Sequence, residues 1–341
     1  MKRFAYLTPN TVGDAAGAAT TTAAAMAGKV SEPSLFKAGG IDLLDLMKEN
    51  LVAPRRIIDL HHLPGLDQIA ETEDGGLRMG AMMTLASLAQ ARLLRSRYPA
   101  LAATIEGLGS PQLRNVATLG GNLLQRPHCW YFRSADFACR RKEGHDCFAL
   151  TGENQYHAVF DNTLCAMVHP STAATLLVAL DAQVELVNAQ GQQRRLTLEA
   201  FFLRPSHDVT RENDLHPGEI LTAIRLPPLA ASARAIHLKQ GQKAAFDWPL
   251  ADVAVVLDRG LDGRCRRAAI VLGAAAPVPQ RARAAEALLV GHAIDEAIAT
   301  AASQASLTGA TPLEKNGYKL PILATLVRRA ILECRQSLRR A

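Results

Sequence analysis

The sequence lacks any long apolar run. No stretch approaches the ~18 consecutive apolar residues that a membrane span requires, and residues 1–10 carry two cations without an apolar segment of the length found in secretory signals. Residues 14–27 are rich in Ala and Thr, whose side chains are too small to form one. We therefore expect no membrane span and a cytoplasmic protein, which reaches the periplasm only if a partner that carries a signal exports it.

Aromatic residues and concentrated charge are also scarce. Aromatics make up 5% of the 341 residues, and the formal net charge of +6 is spread along the chain with acidic residues between the basic ones. A nucleic-acid-binding surface usually gathers its basic residues on one element and places aromatics among them. We expect no nucleic-acid partner, and the length predicts more than one hydrophobic core.

The motifs of several enzyme classes are absent. The sequence contains no G-x-S-x-G nucleophile turn, no G-x-x-x-x-G-K-[ST] phosphate loop, no H-E-x-x-H zinc motif and no intact G-x-G-x-x-G. No residue pattern indicates a nucleophile paired with a base. We therefore predict that the chain has no catalytic side chain and that bound cofactors supply its chemistry.

Two glycine pairs stand where a phosphate could meet the backbone. Gly39-Gly40 follow a predicted strand at Leu35–Ala38 and precede a predicted helix that Asp42 could cap, and Gly120-Gly121 lie between Thr118 and Asn122. A glycine has no Cβ to keep an anion away from backbone N–H groups. Either pair alone is most simply a tight turn, but the two together indicate a phosphate-bearing cofactor.

Four of the six cysteines fall close together, at Cys129, Cys139, Cys147 and Cys165. Apolar periodicity disappears from Arg126 to Asp161, as in a long insertion that something other than a hydrophobic core holds together. In a chain without a signal, such cysteines favour metal or redox use over disulfides. The spacing is wider than the C-x2-C pairs of a zinc ribbon.

Three alternatives remain open for these cysteines. Four thiolates on a loop can hold a [4Fe–4S] cluster. His145 and His157 could substitute for one ligand, and Cys165 is the least secure of the four. The cysteines could also be free thiols, some of them buried as small hydrophobes. A third alternative is a zinc-stapled interaction module in which the glycines serve only as turns.

Further along the chain, the pattern predicts strands at Leu164–His169, Leu196–Phe202 and Ile220–Leu226, with a helix at Ala173–Leu180. Pro227-Pro228 is the strongest candidate for a domain boundary.

Four segments resemble one known family. They are Ala38-Gly39-Gly40-Ile41-Asp42-Leu43-Leu44, Leu113-Arg114-Asn115 followed by Ala117-Thr118-Leu119-Gly120-Gly121-Asn122-Leu123, His169-Pro170-Ser171, and Asn316-Gly317-Tyr318-Lys319. In this order they resemble the FAD-binding medium subunit of molybdenum hydroxylases, the xanthine dehydrogenase and aldehyde oxidoreductase group. The cysteine insertion is most similar to the flavoprotein subunits of periplasmic aldehyde oxidoreductases, in which such cysteines hold a [4Fe–4S] cluster.

The resemblance implies an α+β fold. A FAD-binding domain of two subdomains, residues 1–60 and 61–227, would carry the iron–sulfur insertion at about 126–165. A smaller domain of antiparallel sheet and helices, residues 228–341, would follow it. FAD would lie between the two subdomains.

The resemblance also implies a set of site residues. Two positions depart from the family pattern. Ile41 stands where the family usually has a threonine, so one hydroxyl is missing, and Thr172 stands where the family often has an aspartate. The cluster would be ligated by Cys129, Cys139, Cys147 and Cys165. The FAD contacts would come from Lys37, Ala38, Gly39, Gly40, Ile41, Asp42, Leu43, Arg114, Asn115, Ala117, Thr118, Gly120, Gly121, Asn122, Leu123, Ser171 and Lys239.

The implied function is electron relay within a heteromeric oxidoreductase. A large molybdenum-cofactor subunit would oxidise an aldehyde or a xanthine-type substrate, and a small [2Fe–2S] subunit would pass the electrons to FAD in this chain and on to an external acceptor. The alternative of the same fold is a stand-alone FAD-dependent oxidase. Such oxidases often attach FAD through a histidine near the first loop, and Lys37 to Leu44 contains none.

Overall fold

A computed structural model describes residues 2–19, 33–243 and 246–336. The strands are β1 (Ala5–Leu7), β2 (Ser34–Lys37), β3 (Arg56–Asp59), β4 (Ile69–Glu71), β5 (Leu77–Gly80), β6 (Gln183–Val187), β7 (Gln193–Thr197), β8 (Ile220–Leu226), β9 (Ala233–Gln240), β10 (Ala251–Arg259), β11 (Cys265–Gly273) and β12 (Gln280–Arg281). The α-helices are α1 (Val12–Ala18), α2 (Ile41–Lys48), α3 (Leu85–Gln90), α4 (Arg92–Arg97), α5 (Pro99–Glu106), α6 (Pro111–Arg114), α7 (Leu119–Leu124), α8 (Trp130–Arg133), α9 (Thr172–Ala179), α10 (Leu198–Phe201), α11 (Arg283–Leu289), α12 (Glu296–Ala305) and α13 (Lys319–Gln336).

The first unit is a parallel sheet in the order β1-β3-β2, with α2 beside it. The buried residues Ile57 and Ile58 of β3 serve opposite faces, because successive side chains of a strand alternate. Helix α2 begins after Gly40, whose φ of +81° is left-handed. The prediction that Asp42 caps this helix is therefore wrong, since Asp42 lies inside its first turn and glycine is the residue that adopts such a φ without strain.

The second unit is an antiparallel sheet in the order β4-β5-β8-β6-β7, covered by α3, α4, α5 and α9. Strand β8 has the predicted bounds. The strand predicted over Leu196–Phe202 is wrong beyond Thr197, where α10 begins. The Thr197 hydroxyl accepts a hydrogen bond from the N–H of Ala200, which is the geometry of a helix start.

The third unit is an antiparallel sheet in the order β12-β11-β10-β9 that is buried on both faces. In β10, Val253 and Val255 pack with the C-terminal helices, whereas Ala254 and Val256 pack on the core of the second unit. Apolar residues at every position of a strand predict burial on both faces. This sheet therefore joins the C-terminal helices to the rest of the molecule.

The insertion between α7 and α9 forms no strand. It contains α8 and two short 3₁₀ turns, Arg140–Lys142 and Phe148–Leu150. The predicted strand at Leu164–His169 is wrong, because its backbone meets loops rather than a sheet. The carbonyl of Ala166 accepts from the N–H of Ala158, and the N–H of His169 donates to the carbonyl of Ala276.

Across the described ranges, every helix is too short or too polar to cross a bilayer.

Candidate cofactor-binding site

A cavity of about 700 Å³ lies between the first and second units. Both glycine pairs line it, although they are far apart in the sequence. The predicted site residues in its wall are Ala38, Gly39, Gly40, Ile41, Asp42, Leu43, Arg114, Ala117, Thr118, Gly120, Gly121, Asn122 and Lys239. The volume lies within the range of ligand pockets that enclose a molecule larger than a simple metabolite.

The first glycine loop presents unused donors to this cavity. The N–H groups of Ile41, Asp42 and Leu43 open α2 and donate no hydrogen bond within the described chain, and no side chain caps the helix. Free N–H groups at a helix start, together with the helix dipole, favour a phosphate. The missing hydroxyl at Ile41 leaves this backbone donor set intact.

The two loops pack against each other through Gly39. A Cβ on Gly39 would lie 2.1 Å from the carbonyl oxygen of Val116, which is inside van der Waals contact. A glycine at position 39 therefore allows the first loop to approach the segment that leads into the second.

The N–H groups of the second glycine pair already donate to acceptors of the protein. The N–H of Gly120 donates to the carbonyl of Ala81 (2.8 Å), and the N–H of Gly121 donates to the hydroxyl of Thr118 (3.1 Å). A Cβ on Gly120 would lie 2.9 Å from the Cβ of Ala81. In this structure the pair gives close packing of the cavity wall, while the free phosphate donors are those of the first loop.

Four predicted FAD contacts lie outside the cavity wall. Lys37 forms an ion pair with Asp59 (3.3 Å), Asn115 is exposed, and Leu123 is in the core of the second unit. Ser171 is buried, and its hydroxyl donates to Asn122 (2.6 Å). Ser171 therefore positions a cavity residue rather than forming the wall.

The C-terminal domain closes one side of the cavity. Lys239 donates to the carbonyl of Asp247, and both residues line the cavity. The rings of His128 and Trp248 pack in a tilted arrangement, with their centroids 4.1 Å apart and their planes at 34°. Burial, reinforced by the charge of Arg133, lowers the pKa of His128 to about 3, so this imidazole is neutral at pH 7.

A second, much smaller cavity of about 20 Å³ adjoins the first. All four predicted metal ligands line it: Cys129, Cys139, Cys147 and Cys165. The described residues contain no group of three or more His, Cys, Asp or Glu arranged around a single metal ion. The four cysteines thus line one small, largely apolar space.

The surroundings of the thiols differ. Burial raises the pKa of Cys129 to about 11, and its Sγ lies 3.2 Å from Nε2 of His157. A hydrogen bond with Cys147 and the charge of Arg141 lower the pKa of Cys165, while the same hydrogen bond and burial raise the pKa of Cys147. Nδ1 of His157 is buried and has no hydrogen-bond partner within the described chain.

One short segment forms the wall between the two cavities. Gln125, Arg126 and His128 line the large cavity, while Pro127 and Cys129 line the cysteine cavity. The two spaces are therefore direct neighbours along the backbone.

Ion pairs that the sequence analysis did not predict connect this wall to helix α2. Arg133 bonds Asp42 (2.6 Å) and Asp45 (2.9 Å) of α2, and the N–H of Arg126 donates to Asp42 (2.9 Å). The predicted contact Asp42 therefore links the first loop to the insertion. No local pattern in the sequence marks this role.

A buried ionic cluster adjoins the same wall. Glu212 accepts from Arg126 (3.0 and 3.2 Å) and from Arg141 (2.7 Å). Burial alone would raise the pKa of Glu212, but the charges of the two arginines outweigh it and lower the pKa, so the carboxylate is ionised. We call these three residues the Arg126–Glu212–Arg141 triad. Sequence reasoning missed it entirely.

The motif at residues 316–319 ties the insertion to the C-terminal domain. The side-chain amide of Asn316 donates to the carbonyls of His157 (3.2 Å) and Ala158 (3.0 Å). Buried Lys319 donates to the carbonyls of His157 (3.0 Å) and Tyr156 (3.4 Å), and also to that of Ala274. The motif is thus a structural clamp on the segment that contacts Cys129.

A two-loop cavity with free helix N–H groups, next to four clustered thiols, defines a cofactor-carrying protein. Residues 2–229 match the FAD binding domain in molybdopterin dehydrogenase, and residues 236–334 match the CO dehydrogenase flavoprotein C-terminal domain. The chain therefore belongs to the family of FAD-binding subunits of molybdenum hydroxylases.

Individual relatives agree with this assignment. The chain is 35% identical over 337 residues to the aldehyde oxidoreductase FAD-binding subunit PaoB of Escherichia coli (strain K12), covering 98% of this chain and 99% of that protein. It is 26% identical over 333 residues to the carbon monoxide dehydrogenase medium chain of Hydrogenophaga pseudoflava, covering 96% of each. The structure of that organism's carbon monoxide dehydrogenase lacking the Mo-pyranopterin moiety superposes with a TM-score of 0.74, at 26% identity over 98% of each chain.

These findings confirm the predicted α+β fold and the predicted function as a FAD-binding oxidoreductase subunit of a heteromeric complex. They do not favour a stand-alone oxidase or a zinc-stapled module. FAD binding is supported by the family of the first domain.

Proposed function

We propose that this chain binds FAD in the large cavity and one [4Fe–4S] cluster at the four cysteines, and that it relays electrons for a molybdenum-dependent aldehyde oxidoreductase. The observation that carries the proposal is the shared wall at residues 125–129, which places a dinucleotide-sized cavity and four thiols side by side. Bound FAD supplies reversible two-electron chemistry and a cluster supplies one-electron transfer.

The FAD contacts divide by chemistry. The free N–H groups of Ile41, Asp42 and Leu43 suit the pyrophosphate, because they are aligned donors at a positive helix end. Of the positions outside the wall, Ser171 supports Asn122 from behind. Lys239 lines the cavity, where its cation would stabilise negative charge on a bound ring system.

The four cysteines suit a cluster by their donor set and surroundings. Cys129, Cys139, Cys147 and Cys165 share one apolar space with aromatic walls, and the permanently charged Arg141 faces it. A positive charge beside thiols favours the thiolate form that binds iron.

We propose that the partners are a large subunit with the molybdenum cofactor and a small [2Fe–2S] subunit, with an external acceptor taking the electrons. The relatives named as a FAD-binding subunit and a medium chain support a complex of several subunits. The 35% identity to an aldehyde oxidoreductase subunit supports an aldehyde as the substrate of the whole complex. We propose the cytoplasm as the site of synthesis, with co-export to the periplasm by a signal-bearing partner.

We also propose the domain limits 1–60, 61–227 and 228–341, with the cluster insertion at about 126–165. The last limit falls at Pro227-Pro228, between β8 and β9.

The test is a cofactor assay on the full chain, purified without oxygen. We expect one FAD with about four irons and four sulfides per chain. Alanine variants of the four cavity cysteines, made one at a time, should lose most of the iron and retain FAD. Cys265→Ala is the matched control, because Cys265 is buried in the C-terminal core and lines neither cavity.

Two results would contradict the proposal. FAD without iron would reduce the cysteines to ordinary thiols. Zinc without flavin would overturn both cofactor assignments.

A further inference from the structure

The Arg126–Glu212–Arg141 triad spans the boundary between the two cavities. Arg126 and Glu212 line the large cavity, whereas Arg141 lines the cysteine cavity. The exposed fractions of the three side chains are 5%, 5% and 1%. A single carboxylate thus links residues that face two different sites.

The triad has an excess of positive charge. Two guanidinium groups share one carboxylate, and burying an uncompensated charge is costly. Asp208 accepts from the N–H (2.8 Å) and hydroxyl (2.7 Å) of Thr210; against the effect of burial, these bonds and the charges of Arg211 and Arg141 lower its pKa, but it forms no salt bridge with Arg141 within the described chain. An anion in the cysteine cavity would therefore give Arg141 a second close partner of opposite charge.

Arg141 keeps two donor atoms that Glu212 does not use. Its Nη1 donates to Glu212, but Nε and Nη2 are buried and lack a well-formed hydrogen bond within the described chain. An unpaired buried guanidinium donor is uncommon, because it costs much of its hydration energy. The thiols of the cysteine cavity are the adjacent groups that can become anionic.

From these observations we infer that Arg141 is a positioning residue for the cysteine site: it balances the negative charge of the thiolate-ligated centre, and Glu212 couples that charge to the wall of the FAD cavity. This inference rests on the proposed function, since it needs a cluster at the four cysteines. It predicts that the triad sets the reduction potential of the cluster through charge.

Two variants should shift that potential in opposite directions. Arg141→Gln removes a positive charge beside the centre, so adding an electron becomes less favourable and the potential falls. Glu212→Gln has nearly the same shape but removes a negative charge, so the potential rises. For Arg141→Gln we expect at least a tenfold change in the reduction equilibrium, which is about 59 mV for one electron.

The measurement is a redox titration of the cluster signal by electron paramagnetic resonance on the purified full-length chain, with iron assayed on the same samples. The control is Arg281→Gln, which removes a cation from a partly buried ion cluster with Asp181 and Glu286 that lines neither cavity. We expect the control to keep the wild-type potential. Opposite shifts in the two triad variants would not arise from a general loss of stability.

The outcomes separate the inference from the proposed function. Iron-free wild-type protein would end both. An iron-loaded Arg141→Gln protein with the wild-type potential, or a fall in both triad variants, would overturn the inference alone. If Arg141→Gln does not fold, Glu212→Gln decides by itself, since a potential that stays unchanged or falls contradicts the coupling.

Discussion

Replacing Gly39 by alanine introduces one methyl group at the point where the two glycine loops touch. The new Cβ would lie 2.1 Å from the carbonyl oxygen of Val116 and 2.9 Å from its carbonyl carbon. Both atoms belong to the backbone, so no side chain can rotate away. The first loop must therefore retreat by about 1 Å from the second to restore ordinary contact.

That movement distorts the cavity wall and should weaken FAD binding. Overpacking of this kind costs about 1–3 kcal/mol, and the displaced segment carries the free N–H groups of Ile41, Asp42 and Leu43. If this energy is lost from binding, the affinity for FAD falls by about 5- to 150-fold. The reason is that the donors move while the opposite wall stays in place.

The assay is titration of the FAD-free chain with FAD, followed by flavin fluorescence, together with a thermal unfolding curve. Gly17→Ala is the matched control, because a Cβ at Gly17 meets nothing within 4 Å and the residue lies in α1. Alanine there should leave FAD binding unchanged and stabilise the fold by about 0.5–1 kcal/mol. Wild-type affinity for FAD in the Gly39→Ala chain would refute the contact between the loops as the basis of the site.

Two further predictions concern stability. Lys319→Met leaves three carbonyl acceptors without their buried donor and should lower the unfolding free energy by about 2–5 kcal/mol in urea titrations. Lys315→Met loses only an exposed pair with Glu153 and should change it by less than about 1 kcal/mol, so equal losses would contradict the clamp. Burial lowers the pKa of His169 from 6.5 to about 4. Between those values the unfolded chain binds the extra proton, so stability is complete above pH 6.5 and falls by up to about 1.4 kcal/mol per unit of decreasing pH. His169→Gln should reduce that slope between pH 7 and 5, and an unchanged slope would refute the assignment.

Some turns and strands of this chain could be predicted from the sequence because neighbouring residues alone cause them. The turn at Gly39-Gly40 follows from the backbone freedom of glycine, and strand β8 follows from a short apolar run that ends at Pro227-Pro228. The failures have equally physical causes. The run at Leu164–His169 is apolar enough for a strand, but its partners are loops from the insertion and the C-terminal domain. Asp42 suits a helix cap, yet Gly40 occupies the cap position, and Asp42 accepts hydrogen bonds from Arg126 and Arg133 instead.

At the candidate cofactor site, too, residue types could be predicted from the sequence but tertiary contacts could not. Residue identity singled out both glycine loops, which line the large cavity, and four cysteines, which line the small one, because phosphate contact and iron ligation each restrict the residue types that can serve. Which loop keeps free donors could not be predicted. The N–H groups of Gly120 and Gly121 are used by Ala81 and Thr118, and the Ala81 contact comes from another part of the fold.

The sequence by itself predicted a FAD-binding subunit, which the family of the first domain supports, and it marked the glycines and thiols as candidate cofactor contacts. The tertiary structure alone decided that these two sites share a wall and that one ionic triad connects them. Glu212 lies 86 positions from Arg126 and 71 from Arg141. Isolated charges at such separations follow no periodicity, and only the packing of the second unit against the insertion brings them within hydrogen-bond distance.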